Sequence, residues 1–209
     1  MFTLENFSIE GLKPVSLSLK PGECIGLSGE SGSGKTRLLR ALADMDEHSG
    51  LLALNDDTCE SMCAHEWRKR VALLPAESQW WQDRVGDHFC IAHDNTGQPC
   101  VNQDTVSRLG FSQDVMHWQT SRCSSGEKQR LSLLRLLVNT PRVLLLDEPT
   151  ANLDPEKTRH VERMIADYLA QHDACCIWVS HSAEQLKRVS TRQFFIANGV
   201  LHAQDIAHG

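Results

Sequence analysis

No stretch of this sequence is both long and apolar enough to cross a bilayer, which takes about 20 consecutive apolar residues. The longest apolar runs, Val143 to Leu146 and Ala174 to Val179, stop far short of that. The N-terminus, MFTLENFSIEG, has neither the basic start nor the apolar stretch of a secretory signal. The chain is therefore expected in the cytoplasm, and any membrane role would come through a partner. Basic blocks are missing too. Lys plus Arg number 21 against 27 for Asp plus Glu, a net charge of −6. That balance argues against a nucleic-acid partner held by a clustered positive surface. Eight cysteines are present but no Cys-x-x-Cys pair. The ligand spacing of a structural zinc site is absent, and the thiols read as small reduced core residues. There is no internal repeat, low-complexity tract or long linker.

What is present is enough apolar material for one sizeable core, 41% of 209 residues. Val15, Leu17 and Leu19 alternate with serines as in a half-buried strand, KPGE turns the chain, and CIGLS reads as a buried strand. A glycine-rich loop and a helix from Lys35 to about Ala43 follow. Strand, glycine loop and helix open an α/β nucleotide-binding fold. Val71 to Leu74 and VLLLD, ending at Asp147, are further buried strands, as is CCIWVS. Between Gln79 and Ser121 the pattern changes to polar turns, Trp80, Trp81, Trp118 and weak helical stretches near Val85 to His93 and Thr105 to Leu109. An apolar helix then runs from Gly126 to about Val138. The expectation is a single domain, 1–209, with a core from 1–78 and 139–209 and a helical subdomain over about 79–138. Asp154 and Pro155 make a helix start. Val161, Met164, Ile165, Tyr168 and Leu169 mark its buried face. Ser182 with Gln185 suggests a capping box, and Asn198-Gly199 a hairpin.

Three segments carry chemistry. GESGSGKT, that is Gly29, Glu30, Ser31, Gly32, Ser33, Gly34, Lys35 and Thr36, matches the P-loop pattern in full. Its glycines let backbone N–H groups wrap phosphates, Lys35 reaches the terminal phosphates, and Thr36 offers a hydroxyl to Mg²⁺. Asp147 ends a buried strand and can hold Mg²⁺ directly or through water. Glu148, next to it, can orient or deprotonate an attacking water. The plain alternative for this pair is a strand-end carboxylate capping a helix. His181 follows IWVS and falls at a strand end on the side expected for Asp147, where it could bond a γ-phosphate. A lone histidine is otherwise more often structural.

A fourth segment, CSSGEKQR, places small residues where a helix begins, a setting that holds anions. Together, GESGSGKT, CSSGEKQR, VLLLDEP, ANLD and the histidine of VSHS resemble the ATP-binding cassette (ABC) ATPases in motif order over nearly the whole chain. The resemblance implies a P-loop NTPase core with a mixed β-sheet, an N-terminal antiparallel β-subdomain and an inserted α-helical subdomain. It implies ATP and Mg²⁺ as cofactors and a head-to-tail homodimer in which Ser124, Ser125 and Gly126 touch the partner's ATP. Glu148 would be the general base, His181 the γ-phosphate switch and Asp154 a cross-dimer contact. The whole would power a separate transmembrane permease from the cytoplasmic face. The stretch from the signature to CCIWVSH is similar to iron-efflux-type export subunits.

The sequence departs from the family pattern in three places. Cys123, Ser125 and Glu127 replace Leu, Gly and Gln of the usual Leu-Ser-Gly-Gly-Gln signature. Were position 125 to need a positive φ, serine would cost about 1 kcal/mol or more. Ala76 stands where a Gln usually touches Mg²⁺, with Glu77 or Gln79 as substitutes. No aromatic falls between Ile9 and Val15 to stack on adenine, and Phe7 reads as core. Trp80 and Trp81 read as subdomain core, with a docking surface as the alternative. Competing functions are a soluble mechanical ABC ATPase, a non-hydrolysing regulatory cassette and a P-loop kinase. The segment between Ala76 and Cys123 is too short for the long coiled coils of DNA-repair members.

Overall fold

The structure is a computed structural model that describes residues 1–89, 101 and 103–204. In chain order the elements are β1 (Phe2–Ile9), β2 (Leu12–Leu19), β3 (Cys24–Gly29), α1 (Lys35–Leu42), β4 (Ser49–Leu54), β5 (Asp57–Thr58) and α2 (Ala64–Arg70). They continue with β6 (Val71–Leu74), α3 (Gln103–Arg108), α4 (Ser125–Leu137), β7 (Val143–Asp147) and α5 (Pro155–Gln171). The last are β8 (Cys175–Val179), α6 (Ala183–Val189), β9 (Arg192–Ala197) and β10 (Val200–Gln204). The first sheet is antiparallel in the order β2-β1-β4-β5. The second runs β10-β9-β3-β8-β7-β6, parallel except for the hairpin β9-β10. Asn198 and Gly199 make the hairpin turn with φ of 51° and 68°, as NG turns require.

The parallel strands read as continuous apolar runs because both faces are covered. Side chains alternate between two cores. Ile25, Leu27, Val143, Leu145, Cys175, Ile177 and Val179 pack with α1 and the antiparallel sheet. Cys24, Leu144, Leu146, Cys176 and Trp178 pack on the other side with α4 and α5. Residues of the helical segment, among them Val85, Phe89, Val106, Phe111 and Val115, belong to this second core. Within that segment the stretch from Val85 is a single 3-10 turn, Gly86–His88. The rest of the expected helix, residues 90–93, lies outside the described residues.

Local chemistry sets the helix ends. Asp154 accepts from the Lys157 N–H at 2.9 Å, and Pro155 opens α5. Ser182 accepts from the Gln185 N–H at 3.2 Å. The reciprocal half of a capping box is not made, because the Gln185 side chain turns inward to Thr150 and Glu162. Trp80 is partly buried against the second core, while Trp81 is 68% exposed, so the core reading holds for only one of the pair. The loop they share is fixed by His88. Its Nε2 accepts from the Trp81 and Gln82 N–H groups and its Nδ1 faces the Arg84 carbonyl. That arrangement needs a neutral ring with the proton on Nδ1, and burial lowers the His88 pKa in the same sense. Among the described residues no helix is long and apolar enough to cross a membrane.

Candidate nucleotide site

Parallel strands gather their functional residues at their carboxyl ends. Here β3 delivers the P-loop, β7 delivers Asp147 and Glu148, and β8 leads to His181. Between β3 and α1 the loop turns on Gly32 and Gly34, whose φ values of 79° and 104° are left-handed. Residues with a Cβ enter that region only at a cost, so the loop depends on glycine there. Lys35 is 8% exposed, and its ammonium donates to the Gly29 and Glu30 carbonyls at 2.8 and 2.9 Å. Ser33 Oγ is buried in the loop without a hydrogen-bond partner, a polar atom suited to a phosphate oxygen.

The Thr36 hydroxyl donates to Asp147 Oδ2 at 2.6 Å. The two groups expected to hold Mg²⁺ therefore meet, across 111 residues of sequence. Asp147 is 4% exposed and offers carboxylate oxygens, the ligand type Mg²⁺ takes. Glu148 has a φ of 49°, an uncommon conformation for a residue with a Cβ. Its backbone is fixed on two sides: its N–H donates to the Val179 carbonyl at 3.2 Å, and its carbonyl accepts from Gln129 Nε2 at 3.4 Å. Glu148 Oε1 is buried without a hydrogen-bond partner and lies 3.7 Å from His181 Nε2. Burial pushes the Glu148 carboxyl up from its ordinary value, and the adjacent His181 opposes this. A raised carboxyl is a better proton acceptor.

The signature forms the start of α4. Ser124 caps it in a reciprocal capping box: Ser124 Oγ accepts from the Glu127 N–H, and Glu127 Oε2 accepts from the Ser124 N–H at 2.8 Å. Glu127 thus has a structural reason to stand in the signature. Ser125 is the first helical residue and is not among the residues of positive φ. The strain considered from the sequence is therefore absent. Gly126 is needed for a different reason, since a Cβ there would sit 2.8 Å from the Asn152 carbonyl oxygen. Glycine lets the signature helix lie directly against the loop between Glu148 and Asp154. Ser124, Ser125 and Asp154 are exposed. In the expected metal-contact loop, Ala76 is followed by an exposed Glu77 and Gln79. Among the described residues neither side chain hydrogen-bonds Thr36 or Asp147. Phe7 is fully buried, as its alternation with Ile9 suggests.

Two positioning groups escaped the sequence reading. Gln129 is buried and reaches the Glu148 backbone. Gln185 donates to Thr150 Oγ1 and Glu162 Oε1, both at 2.8 Å, and Arg188 pairs with both oxygens of Glu162. The one signal was a polar residue at each helical position that faces the core, which is visible only once α4, α5 and α6 are placed.

The family model for ABC transporters matches residues 12–151. The chain belongs to the ABC transporter family. The curated relatives include the probable iron export ATP-binding protein FetA of Escherichia coli, 28% identical over 84% of this chain and 80% of its own length. They also include the methionine import ATP-binding protein MetN of Xanthomonas campestris, 28% identical over 96% of this chain; the chain spans only 62% of that protein. Among solved structures, the dimeric bacterial ABC transporter cassette MJ0796 has the same fold, with a TM-score of 0.84 at 18% identity and all of both chains covered. This cassette is thus an ATP-binding and ATP-hydrolysing subunit of the ABC transporter type, and the kinase alternative falls away.

Proposed function

We propose that this ABC cassette works as a head-to-tail homodimer on the cytoplasmic side of a separate permease, with each ATP held between one chain's P-loop and the other's signature. The observation that carries this reading is the exposed signature, a capped helix N-terminus set against the Asp154 loop. The Ser124 and Ser125 side chains are exposed there beside Gly126, and a γ-phosphate is the anion a helix N-terminus suits. The P-loop residues 29–36 would hold the phosphates of ATP, and Thr36 and Asp147 would hold Mg²⁺, which neutralises phosphate charge. Glu148 takes the proton of the attacking water, the water oxygen bonds the γ-phosphorus, and the bond to the ADP oxygen breaks. His181, beside Glu148, bonds the γ-phosphate, and Asp154 crosses the dimer. The dimeric MJ0796 cassette and the transporter roles of FetA and MetN support the reading.

Light scattering on purified Glu148→Gln chain tests it. ATP with Mg²⁺ should double the mass, and ADP should not. A chain that binds ATP yet stays monomeric overturns the self-sufficient homodimer.

A further inference from the structure

Away from the nucleotide, the fold brings together three residues that are scattered in sequence. Asp44 follows α1, His48 precedes β4, and Cys59 follows β5. One ligand atom from each lies within 4.8 Å of the others. Tetrahedral ligands about 2.0–2.3 Å from a zinc ion sit about 3.3–3.8 Å from one another. The His48 Nε2 to Asp44 Oδ1 distance is already 3.8 Å, and no two of the ligand atoms are more than 4.8 Å apart.

The histidine is the second observation. Its side chain is 10% exposed, and its Nδ1 is buried without a hydrogen-bond partner. At 3.8 Å, Nε2 is beyond hydrogen-bond distance of Asp44. A buried imidazole normally satisfies at least one nitrogen. The ring packs on Phe7, with centroids 5.1 Å apart. Asp44 is aimed by its backbone: φ is 54°, its N–H donates to Ala41, and Arg68 donates to its carbonyl at 3.0 Å. Arg68 therefore leaves the Asp44 carboxylate oxygens free for a cation.

We infer that Asp44, His48 and Cys59 form a binding site for a borderline divalent transition metal, Zn²⁺ by preference, with water in the fourth position. One sulfur, one nitrogen and one oxygen suit zinc and disfavour Mg²⁺, which takes oxygen ligands. The ion would tie the end of α1, the helix that begins at Lys35 and Thr36, to the β4–β5 arm of the antiparallel sheet. Three protein ligands leave an exchangeable position, as in labile rather than closed structural sites.

Zn²⁺ titration against a competing chelator, and Co²⁺ absorption, test the site on the nucleotide-free full chain. One equivalent per chain is expected, with tetrahedral Co²⁺ bands and a thiolate-to-cobalt charge-transfer band. The Thr36–Asp147 pair offers only oxygen and gives no such band. Cys63 is exposed, so Cys63→Ser must leave the band intact, while Cys59→Ser must remove it. His48→Gln should weaken Zn²⁺ binding by more than about 100-fold, beyond the 10–100-fold loss typical of an outer-shell partner. Zn²⁺ should raise the melting temperature of the parent and not of His48→Gln. A charge-transfer band that survives Cys59→Ser, or wild-type Zn²⁺ affinity in a folded His48→Gln chain, overturns the proposal.

Discussion

The P-loop end and the signature end of this cassette use the same device, small residues at a helix N-terminus, yet they stand in opposite states. At the P-loop, Lys35 is buried on its own loop's carbonyls, and Thr36 already meets Asp147. At the signature, Ser124 and Ser125 are exposed, and the helix start is capped by Glu127 and lies at Gly126 against the Asn152 carbonyl. The P-loop groups meet one another within the chain, while the signature is shaped but faces outward. The contrast teaches that affinity for ATP should reside at the first end, while turnover should need both.

The largest effect should come from Glu148→Gln at the first end. Turnover should fall about 100- to 10,000-fold, the range of a lost general base, with ATP binding retained; phosphate release and equilibrium binding measured on one preparation decide it. The same variant has a pH signature. The folded Glu148 carboxyl lies above its ordinary value of 4.5 because of burial. Its ionisation therefore costs stability as pH rises past 4.5, and the cost is absent below that. Glu148→Gln should melt above the parent at pH 7, and the gap should close toward pH 4.5. A gap that widens in acid would mean the carboxylate is favourably paired.

Lys35→Ala comes next. It removes charge-assisted bonds worth about 1.5–3 kcal/mol each, so nucleotide affinity should drop on the order of 100-fold by calorimetry. Gly126→Ala probes the other end. A Cβ 2.8 Å from the Asn152 oxygen forces the signature helix off the Asp154 loop. Turnover should fall about tenfold or more, at a packing cost of about 1–3 kcal/mol, while ATP affinity of the isolated chain stays unchanged. If Gly126→Ala lowered monomer affinity as Lys35→Ala does, the division between the two ends would fail. Gln185→Leu should cost about 1–3 kcal/mol in urea unfolding by removing the buried donor to Thr150 Oγ1, while Glu162 keeps its pairing with Arg188.

The same contrast explains what was legible in the sequence. The P-loop, Asp147 and Glu148 are contiguous motifs on buried strands, so pattern and strand polarity place them. The helix start at Asp154 and the hairpin at Asn198-Gly199 are local, carried by residues with strong turn and cap preferences. What was hidden depends on distant pieces meeting. Gln129 reaching Glu148 and Gln185 reaching Thr150 are long-range, as is the Asp44–His48–Cys59 cluster, whose members have no ligand spacing. Cysteine arithmetic sees spacing, and here the spacing is made by the fold. Ser182 shows the same limit: its cap was local and formed, but the expected reciprocal partner, Gln185, was taken by tertiary bonds.

The smallest effect distinguishes two accounts of the signature. Were position 125 to need a positive φ, serine there would be strained, and Ser125→Gly would raise ATPase activity by relieving it. In the structure Ser125 opens α4 with an ordinary helical backbone, while the cap and the close approach fall on Ser124 and Gly126. Glycine at 125 would relieve nothing and would enlarge the conformational freedom of the unfolded chain. The variant should therefore lose about 0.5–1 kcal/mol of stability, read by urea unfolding, with ATPase activity equal to or slightly below the parent. A clear rise in activity at unchanged stability would mean that the signature reshapes when ATP arrives, and that the outward-facing end is less finished than its capping box suggests.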